Sequence, residues 1–212
     1  MPIKKYVADA DNTIVNAYKL NLRTRGTGAN AGAADILETF SVYGRQSSGS
    51  QELSRILIKF PTTAISSDRT AGSIPGSGSV SFYLRMFDAQ TSKTVPRNLK
   101  IAIHAVSQSW QEGVGLDLEG YTDLTYENEG SNWMSASNTA FWTDINNTLL
   151  VGGSYHTKSN SDNDQEVFIF NKTLENGLED LEIDITPLVE QWLAGTYSNY
   201  GIGVALSTSQ EA

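Results

Sequence analysis

The 212-residue sequence contains no cysteine and only two histidines, His104 and His156. The absence of cysteine excludes a disulfide framework, a thiolate zinc site and a cysteine nucleophile. Two histidines are too few for most histidine-based metal sites. No apolar run approaches the roughly 18 residues of a transmembrane helix, so membrane insertion is not expected. The Gly-x-Ser-x-Gly, Walker and His-Glu-x-x-His motifs are also absent, which removes several recognisable classes of enzyme.

The sequence is rich in glycine, with 18 residues, many of them in polar loops between short strand-like segments. In the clearest segment, residues 55–60, Ile56, Ile58 and Phe60 recur at every second position and share one face. The other strand-like segments are residues 11–15, 36–43, 79–87, 99–106, 168–170, 181–185 and 199–206. Many short strands separated by Gly-rich and Ser-rich loops are typical of antiparallel sandwiches.

One short helix is predicted at residues 187–193. Thr186 suits the N-cap, Pro187 suits the first helical position, and Gly195 suits the end of the helix. No internal repeat or linker divides the chain. The sequence therefore predicts an all-β protein, a single antiparallel β-sandwich of jelly-roll type over residues 11–212 with one short helix near its C-terminus. Residues 1–10 are expected to form an N-terminal arm.

Charge is divided unevenly along the chain. Residues 1–100 carry 13 basic and 7 acidic residues, a net charge of +6, whereas residues 101–212 have a net charge of −15. The overall charge of −9 disfavours nucleic acid as a partner, because phosphate contacts need a basic surface. One interpretation is a solvated acidic face that keeps the protein soluble. A second is a homo-oligomer or lattice, weakened by salt, in which early loops bearing Arg23, Arg25, Arg45 and Arg69 contact a neighbour's acidic loops. A third is that the acidic loops gather cations.

Acidic residues in the second half allow two kinds of site. Five carboxylates crowd residues 117–129, and a pair of them across a sugar is what glycoside hydrolysis requires, although a solvated loop is the simpler interpretation. Calcium prefers hard oxygen ligands from loops, which Asp162 and Asp164, or the 117–129 region, would supply. No cofactor is required by any motif, so Ca²⁺ is the one ion that the sequence suggests.

Four aromatic residues are candidates for a glycan-binding site: Trp133, Trp142, Tyr121 and Tyr126. Flat aromatic faces pack on the apolar face of pyranose rings, so an exposed group of them would bind sugar. The alternative is that they cover the core beneath a long loop. The sequence leaves both interpretations open.

Eight different short motifs occur one after another along the chain. They are Asp-Asn-Thr-Ile at 11–14, Asn-Ala-Gly at 30–32, the strand at 55–60, Ile-Pro-Gly at 74–76, Val-x-x-x-Trp-x-Glu-Gly at 106–113, Asn-Trp at 132–133, Asp-Ile-Thr-x-x-Val-x-x-Trp at 184–192 and Asn-Tyr-Gly at 199–201. In this order they resemble the DNRLRE-type β-sandwich, a family similar to carbohydrate-binding modules. The resemblance implies a sandwich fold and a domain that faces the outside of a cell or particle.

Three longer segments, residues 1–33, 52–61 and 178–192, resemble uncharacterised virion proteins of marine tailed phages. The start of the sequence lacks the apolar segment of a secretory signal, as expected for a chain made in the host cytoplasm. The resemblance implies a non-enzymatic structural protein on the exterior of the virion, which decorates or links head, neck or tail. Its partners would be other virion proteins and copies of itself. The alternatives are a carbohydrate-binding module for a polysaccharide or host surface glycan, and a polysaccharide-degrading enzyme.

Overall fold

The computed structural model describes residues 3–19, 21–43, 51–89, 97–116, 129–156 and 168–211. Within these ranges the chain forms ten strands and two short helices. In order they are β1 (Ala10–Val15), β2 (Ser41–Tyr43), β3 (Gln51–Lys59), α1 (Thr62–Thr70), β4 (Tyr83–Met86), β5 (Leu99–Ala105), β6 (Ser135–Ser137), β7 (Ala140–Phe141), β8 (Ile169–Leu174), β9 (Leu181–Asp184), α2 (Thr186–Ala194) and β10 (Ile202–Leu206).

All strand pairs are antiparallel. The main sheet has the order β1-β3-β10-β5-β8, with β2 paired to the start of β3. Two small sheets accompany it, one formed by β4 and β9 and the other by β6 and β7. The predicted all-β class with antiparallel sheets is confirmed, and these sheets do not close into a barrel.

The main sheet is covered on both faces, and β3 shows why. Ile56 and Ile58 lie in a core that also holds apolar residues of β4, β9 and both helices. Leu53 and Leu57 lie in a second core, on the opposite face of the strand, which includes Trp133 and Trp142. A strand buried on both faces reads as a nearly continuous apolar run, and residues 56–58 form such a run.

Helix α1 is a correction, because the sequence predicted only one helix. The segment is rich in Thr and Ser, which are poor helix formers, and Ile65 is its one buried residue. Tertiary contacts hold it in place. Arg69 donates two hydrogen bonds to Glu190 of α2, at 2.9 and 2.7 Å, and Tyr6 donates one to Asp68 at 2.8 Å. The single-helix prediction was wrong because these contacts link residues far apart in sequence.

Helix α2 lies where the sequence predicts it, with Pro187 in the first turn and Gly195 at its end with a φ of 73°. The predicted cap is different. Ile185 occupies the N-cap position, and Thr186 instead accepts a 2.7 Å hydrogen bond from the N–H of Phe82 through its hydroxyl. The threonine thereby joins the start of α2 to the chain entering β4.

The predicted strand at 36–43 is shortened to β2. The Ser54 hydroxyl accepts the N–H of Phe40 at 2.7 Å and donates to the carbonyl of Glu38 at 3.0 Å. Residues 38–40 are thus held by side-chain hydrogen bonds, and the strand ladder with β3 begins only at Ser41.

The N-terminal arm packs against the rest of the protein. Tyr6 and Ala8 contact the core beneath the helices, Lys4 forms an ion pair with Asp68, and Asp9 donates its N–H to the Lys59 carbonyl. Among the described residues, no helix has the length and apolar character needed to cross a bilayer.

Candidate interaction surface

Residues 130–156, here called the cover segment, lie over the second core of the main sheet. Trp133, Ala136 and Trp142 of this segment pack with Ile14 of β1 and Leu57 of β3. The cover segment also carries little charge for a part of the acidic half, since Asp144 is its only carboxylate and it contains no Lys or Arg. It therefore combines a buried inner side with an almost neutral surface.

Short polar side chains shape the turns of the cover segment. The Asn132 side-chain oxygen accepts the N–H groups of Met134 and Ser135, both at 2.9 Å. The Asp144 carboxylate accepts the N–H groups of Asn146 at 2.8 Å and Thr148 at 2.7 Å. Asn and Asp favour such turns because the side chain replaces a backbone acceptor. These backbone hydrogen bonds also lower the pKa of Asp144, so its carboxylate is ionised at neutral pH.

Backbone hydrogen bonds tie the stretches of the cover segment together. The N–H of Trp142 donates to the Met134 carbonyl at 3.3 Å, and the N–H of Leu150 donates to the Trp142 carbonyl at 2.8 Å. The N–H of Gly152 donates to the Trp133 carbonyl at 2.6 Å. The stretches around residues 134, 142 and 150 are consequently neighbours, and the segment behaves as one packed unit.

The two tryptophans of the predicted glycan site form the inner side of this unit. Trp133 is 6% exposed and Trp142 is fully buried, and the Trp142 indole donates to the Asn132 carbonyl at 2.8 Å. An indole in this position has no free face for a sugar ring, so these two residues cover the core. Tyr121 and Tyr126 lie outside the described residues. Glycan binding therefore stays a prediction, and in this arrangement it would depend on the tyrosines.

The outer side of the cover segment exposes five apolar side chains, which we call the outer face. They are Met134, Phe141, Ile145, Leu149 and Val151. The backbone pairings described above bring four of them around the Trp142 stretch, and the fifth lies in the Asp144 turn. Exposed apolar groups of this kind mark interaction surfaces more often than isolated ones do.

Arg55 of β3 attaches the cover segment to the end of the chain. Its guanidinium donates to both Glu211 carboxylate oxygens, at 3.1 and 2.7 Å, and to the Gly152 carbonyl at 2.8 Å. It also lies 5.1 Å from the centre of the Trp133 ring. Burial disfavours the charged form, but the interactions of the guanidinium with Glu211 and Tyr155 outweigh it, so the pKa of Arg55 is raised.

Gly152 is required at this contact. Its φ is 73°, and a Cβ there would lie 2.8 Å from Arg55 Nη1 and 2.9 Å from the Trp133 ring. Sequence reasoning used Arg55 only as part of a strand and did not identify Glu211 or Gly152. The Gly152-Gly153 pair was the one available signal for a close approach of backbone and side chain.

Tyr155 and His104 extend the Arg55 cluster. Their rings lie 5.4 Å apart, and the Tyr155 hydroxyl donates to the Gly152 carbonyl at 2.9 Å. Burial raises the pKa of Tyr155 to about 12, so it is protonated at neutral pH. Burial, and then the positive charge of Arg55, lower the pKa of His104. The cluster thus holds one permanent cation next to a neutral imidazole.

The lowered pKa of His104 predicts that the protein becomes less stable on acidification. As the pH falls below the ordinary histidine pKa of about 6.5, the unfolded chain takes up a proton more readily than the folded one. The free energy of unfolding should therefore decrease between pH 7 and pH 5. Urea unfolding of His104→Gln should show a smaller decrease than the wild type over this interval. Equal decreases in the two proteins would contradict the assignment to His104.

The predicted calcium ligands, Asp162 and Asp164, lie outside the described residues, so calcium binding stays a prediction. Across the ranges that the structure covers, no group of three or more His, Asp or Glu side chains is placed to hold a metal ion. Of the five carboxylates at 117–129 only Glu129 is described.

Glu112, which precedes this region in the chain, accepts the N–H of Asp11 at 2.9 Å. Burial together with the Glu112 charge raises the pKa of Asp11.

Two of the four arginines expected to reach a neighbouring copy are bonded within their own chain. Arg25 donates to the carbonyls of Asn16 and Gln51, and Arg69 is paired with Glu190. Arg23 is exposed, and Arg45 lies outside the described residues. A contact between copies has fewer free cations available than the charge distribution in the sequence suggested.

Comparison with known proteins gives no match to a family model, to a curated protein or to a solved structure.

Proposed function

We propose that this chain is a non-enzymatic structural protein of a tailed-phage virion, present in several copies on the exterior of the particle. The observation that carries the proposal is the outer face, a group of exposed apolar side chains on a segment fixed to the core by Trp133, Trp142 and Arg55. A surface of this kind suits contact with other protein subunits. The sequence resemblance to phage virion proteins supports the same role.

The proposed fold is a β-sandwich of jelly-roll type, similar to the DNRLRE-type family. The packing of the β4–β9 pair on one face of the main sheet supports it, because Leu84 and Leu181 share a core with Ile103 and Phe170. In a sandwich the inner faces of two sheets interdigitate in this way. Such a scaffold is stable without a cofactor, and calcium at Asp162 and Asp164 would be an addition to it.

The proposal predicts that the chain is a component of purified phage particles. Mass spectrometry should detect its peptides in gradient-purified virions at several copies per particle, with the major capsid protein as the internal standard. Cryo-electron microscopy should show a β-rich density of this size on the outside of the head, neck or tail. A phage replication protein, which should be lost on purification, serves as the control. Abundance in the infected lysate together with absence from the particles would refute the proposal.

A further inference from the structure

We infer that a second copy of this chain binds the outer face, so that the cover segments of two copies form a direct apolar contact. The outer face consists of Met134, Phe141, Ile145, Leu149 and Val151. The inference deepens the proposed multi-copy role and rests on it for its biological setting. It names the surface through which the copies meet.

The exposure of these side chains is high. Phe141 is 58% exposed, Leu149 68% and Ile145 98%. Single exposed apolar residues are normal on protein surfaces, but here five come from 18 consecutive positions, and backbone hydrogen bonds bring four of them around Trp142. Water-exposed apolar area of this kind is what association removes from solvent.

Charge favours a second copy over a strongly charged partner as the occupant. The half of the chain from residue 101 carries a net charge of −15, so two copies that meet through most of this half bring like charges together. The cover segment avoids this repulsion, because Asp144 is its only carboxylate. A strongly charged partner would find no complementary charge here. A neutral surface is complementary to itself, which is what a two-fold contact between identical chains requires.

The residues around the outer face have the composition of an interface rim. They are exposed, polar and uncharged: Asn138, Thr139, Asn146, Asn147 and Thr148. Stable interfaces bury roughly 800 Å² on each partner and place an apolar centre within a polar rim. The five apolar side chains would supply the centre of such a contact, and these five residues would supply its edge.

The outer face is also held in one conformation before binding. Trp142 is fully buried beneath it, and the Asn132 and Asp144 side chains fix its two turns. A surface that is already ordered loses little conformational entropy when it binds. The cover segment therefore presents the apolar residues in a form ready for contact.

The test is sedimentation velocity of the full chain over a range of protein and NaCl concentrations. The wild type should form dimers in a concentration-dependent manner, and the Phe141→Ser/Leu149→Ser variant should dissociate at least tenfold more readily. Added NaCl should leave the wild-type dimer unchanged or strengthen it, because an apolar contact is not screened by salt. The matched control is Phe87→Ser/Leu178→Ser, which changes two apolar residues of similar exposure elsewhere and should associate like the wild type.

Several outcomes would overturn the inference. They are a wild type that stays monomeric at the highest concentration, an association that survives the Phe141→Ser/Leu149→Ser change, and equal weakening by the control pair. If the double variant had a lower unfolding temperature and unchanged association, Phe141 and Leu149 would instead stabilise the fold of their own chain. Detection of the protein in virions is a separate measurement. A monomer found in virions contradicts only this inference, whereas a dimer absent from virions contradicts only the proposed function.

Discussion

The Trp142→Ala variant is expected to lose about 3–5 kcal/mol of the free energy of unfolding. Trp142 is completely buried between the cover segment and the main sheet, where it packs with Ile14 and Leu57. Its replacement by alanine leaves a cavity in this core and also removes the indole hydrogen bond to the Asn132 carbonyl. Urea unfolding followed by circular dichroism measures the loss. Because whole domains are stable by roughly 5–15 kcal/mol, this single change should remove a large part of the total.

The neighbouring residue provides the matched control. Phe141 precedes Trp142 in the chain, is also aromatic, and lies on the outer side of the cover segment. At protein concentrations below those that favour dimers, Phe141→Ala should change the free energy of unfolding by less than about 1 kcal/mol, as surface substitutions usually do. Similar losses for the two variants would mean that the inner and outer sides of the segment have been assigned incorrectly.

The strands of the main sheet were the part of the fold that sequence could predict best. In β3 the alternation of Ile56 and Ile58 placed one face correctly, since both residues lie in the core beneath the helices. Alternation did not indicate that Leu57 would be buried as well, because that depends on the cover segment, which lies about 80 residues further along the chain. Local pattern predicts that a strand exists, whereas the coverage of its second face is set by tertiary packing.

Helix α1 shows the same limit of local sequence patterns, here for an element that the pattern did not predict. Its Thr and Ser residues have weak helix propensity, and Ile65 alone gives no helical periodicity. The contacts that stabilise it come from Tyr6 in the arm and Glu190 in α2. Neither contact leaves a trace in the local sequence, so periodicity could not have predicted the helix.

The candidate surface was predictable only in part. The aromatic character of Trp133 and Trp142 drew attention to the right segment, and covering the core was one of the two interpretations that the sequence left open. The outer face was not identified, because exposure of Phe141 or Leu149 follows from the turns at Asn132 and Asp144 rather than from hydrophobicity. A residue of the same apolar type is core or surface according to which side of the backbone it occupies.

The cover segment links the stability of the fold to association, because one of its sides is buried and the other is exposed. The same stretch closes the second core through its tryptophans and offers the outer face to solvent. A substitution that loosens the inner side should therefore weaken association as well as stability. In Trp142→Ala, sedimentation should show weaker dimers even though no exposed residue has changed, and Phe141→Ser should show weaker dimers with unchanged stability.

The second large effect is expected at Arg55. The Arg55→Ala variant should lose about 3 kcal/mol of the free energy of unfolding, because breaking a largely buried pair leaves the Glu211 carboxylate without its partner. The Gly152 carbonyl loses a donor at the same time, and the Trp133 ring loses the cation beside it. The side chains of Arg55 and Glu211 are only 20% and 12% exposed, so solvent replaces these interactions incompletely.

Two further variants separate the ion pair from simple packing. Arg55→Lys keeps the charge but cannot donate in parallel to both carboxylate oxygens. Its free energy of unfolding should therefore lie between those of the wild type and Arg55→Ala. Combining Arg55→Ala with Glu211→Gln should cost less than the sum of the two single changes, because the second change removes the unpaired charge that the first one leaves. The control is Arg85→Ala, which breaks the exposed Arg85–Glu182 pair, 3.4 Å apart, and should cost about 0–1 kcal/mol. Strict additivity of the Arg55 and Glu211 changes would show that the two residues stabilise the protein independently. That result would contradict the ion pair as the source of the stabilisation.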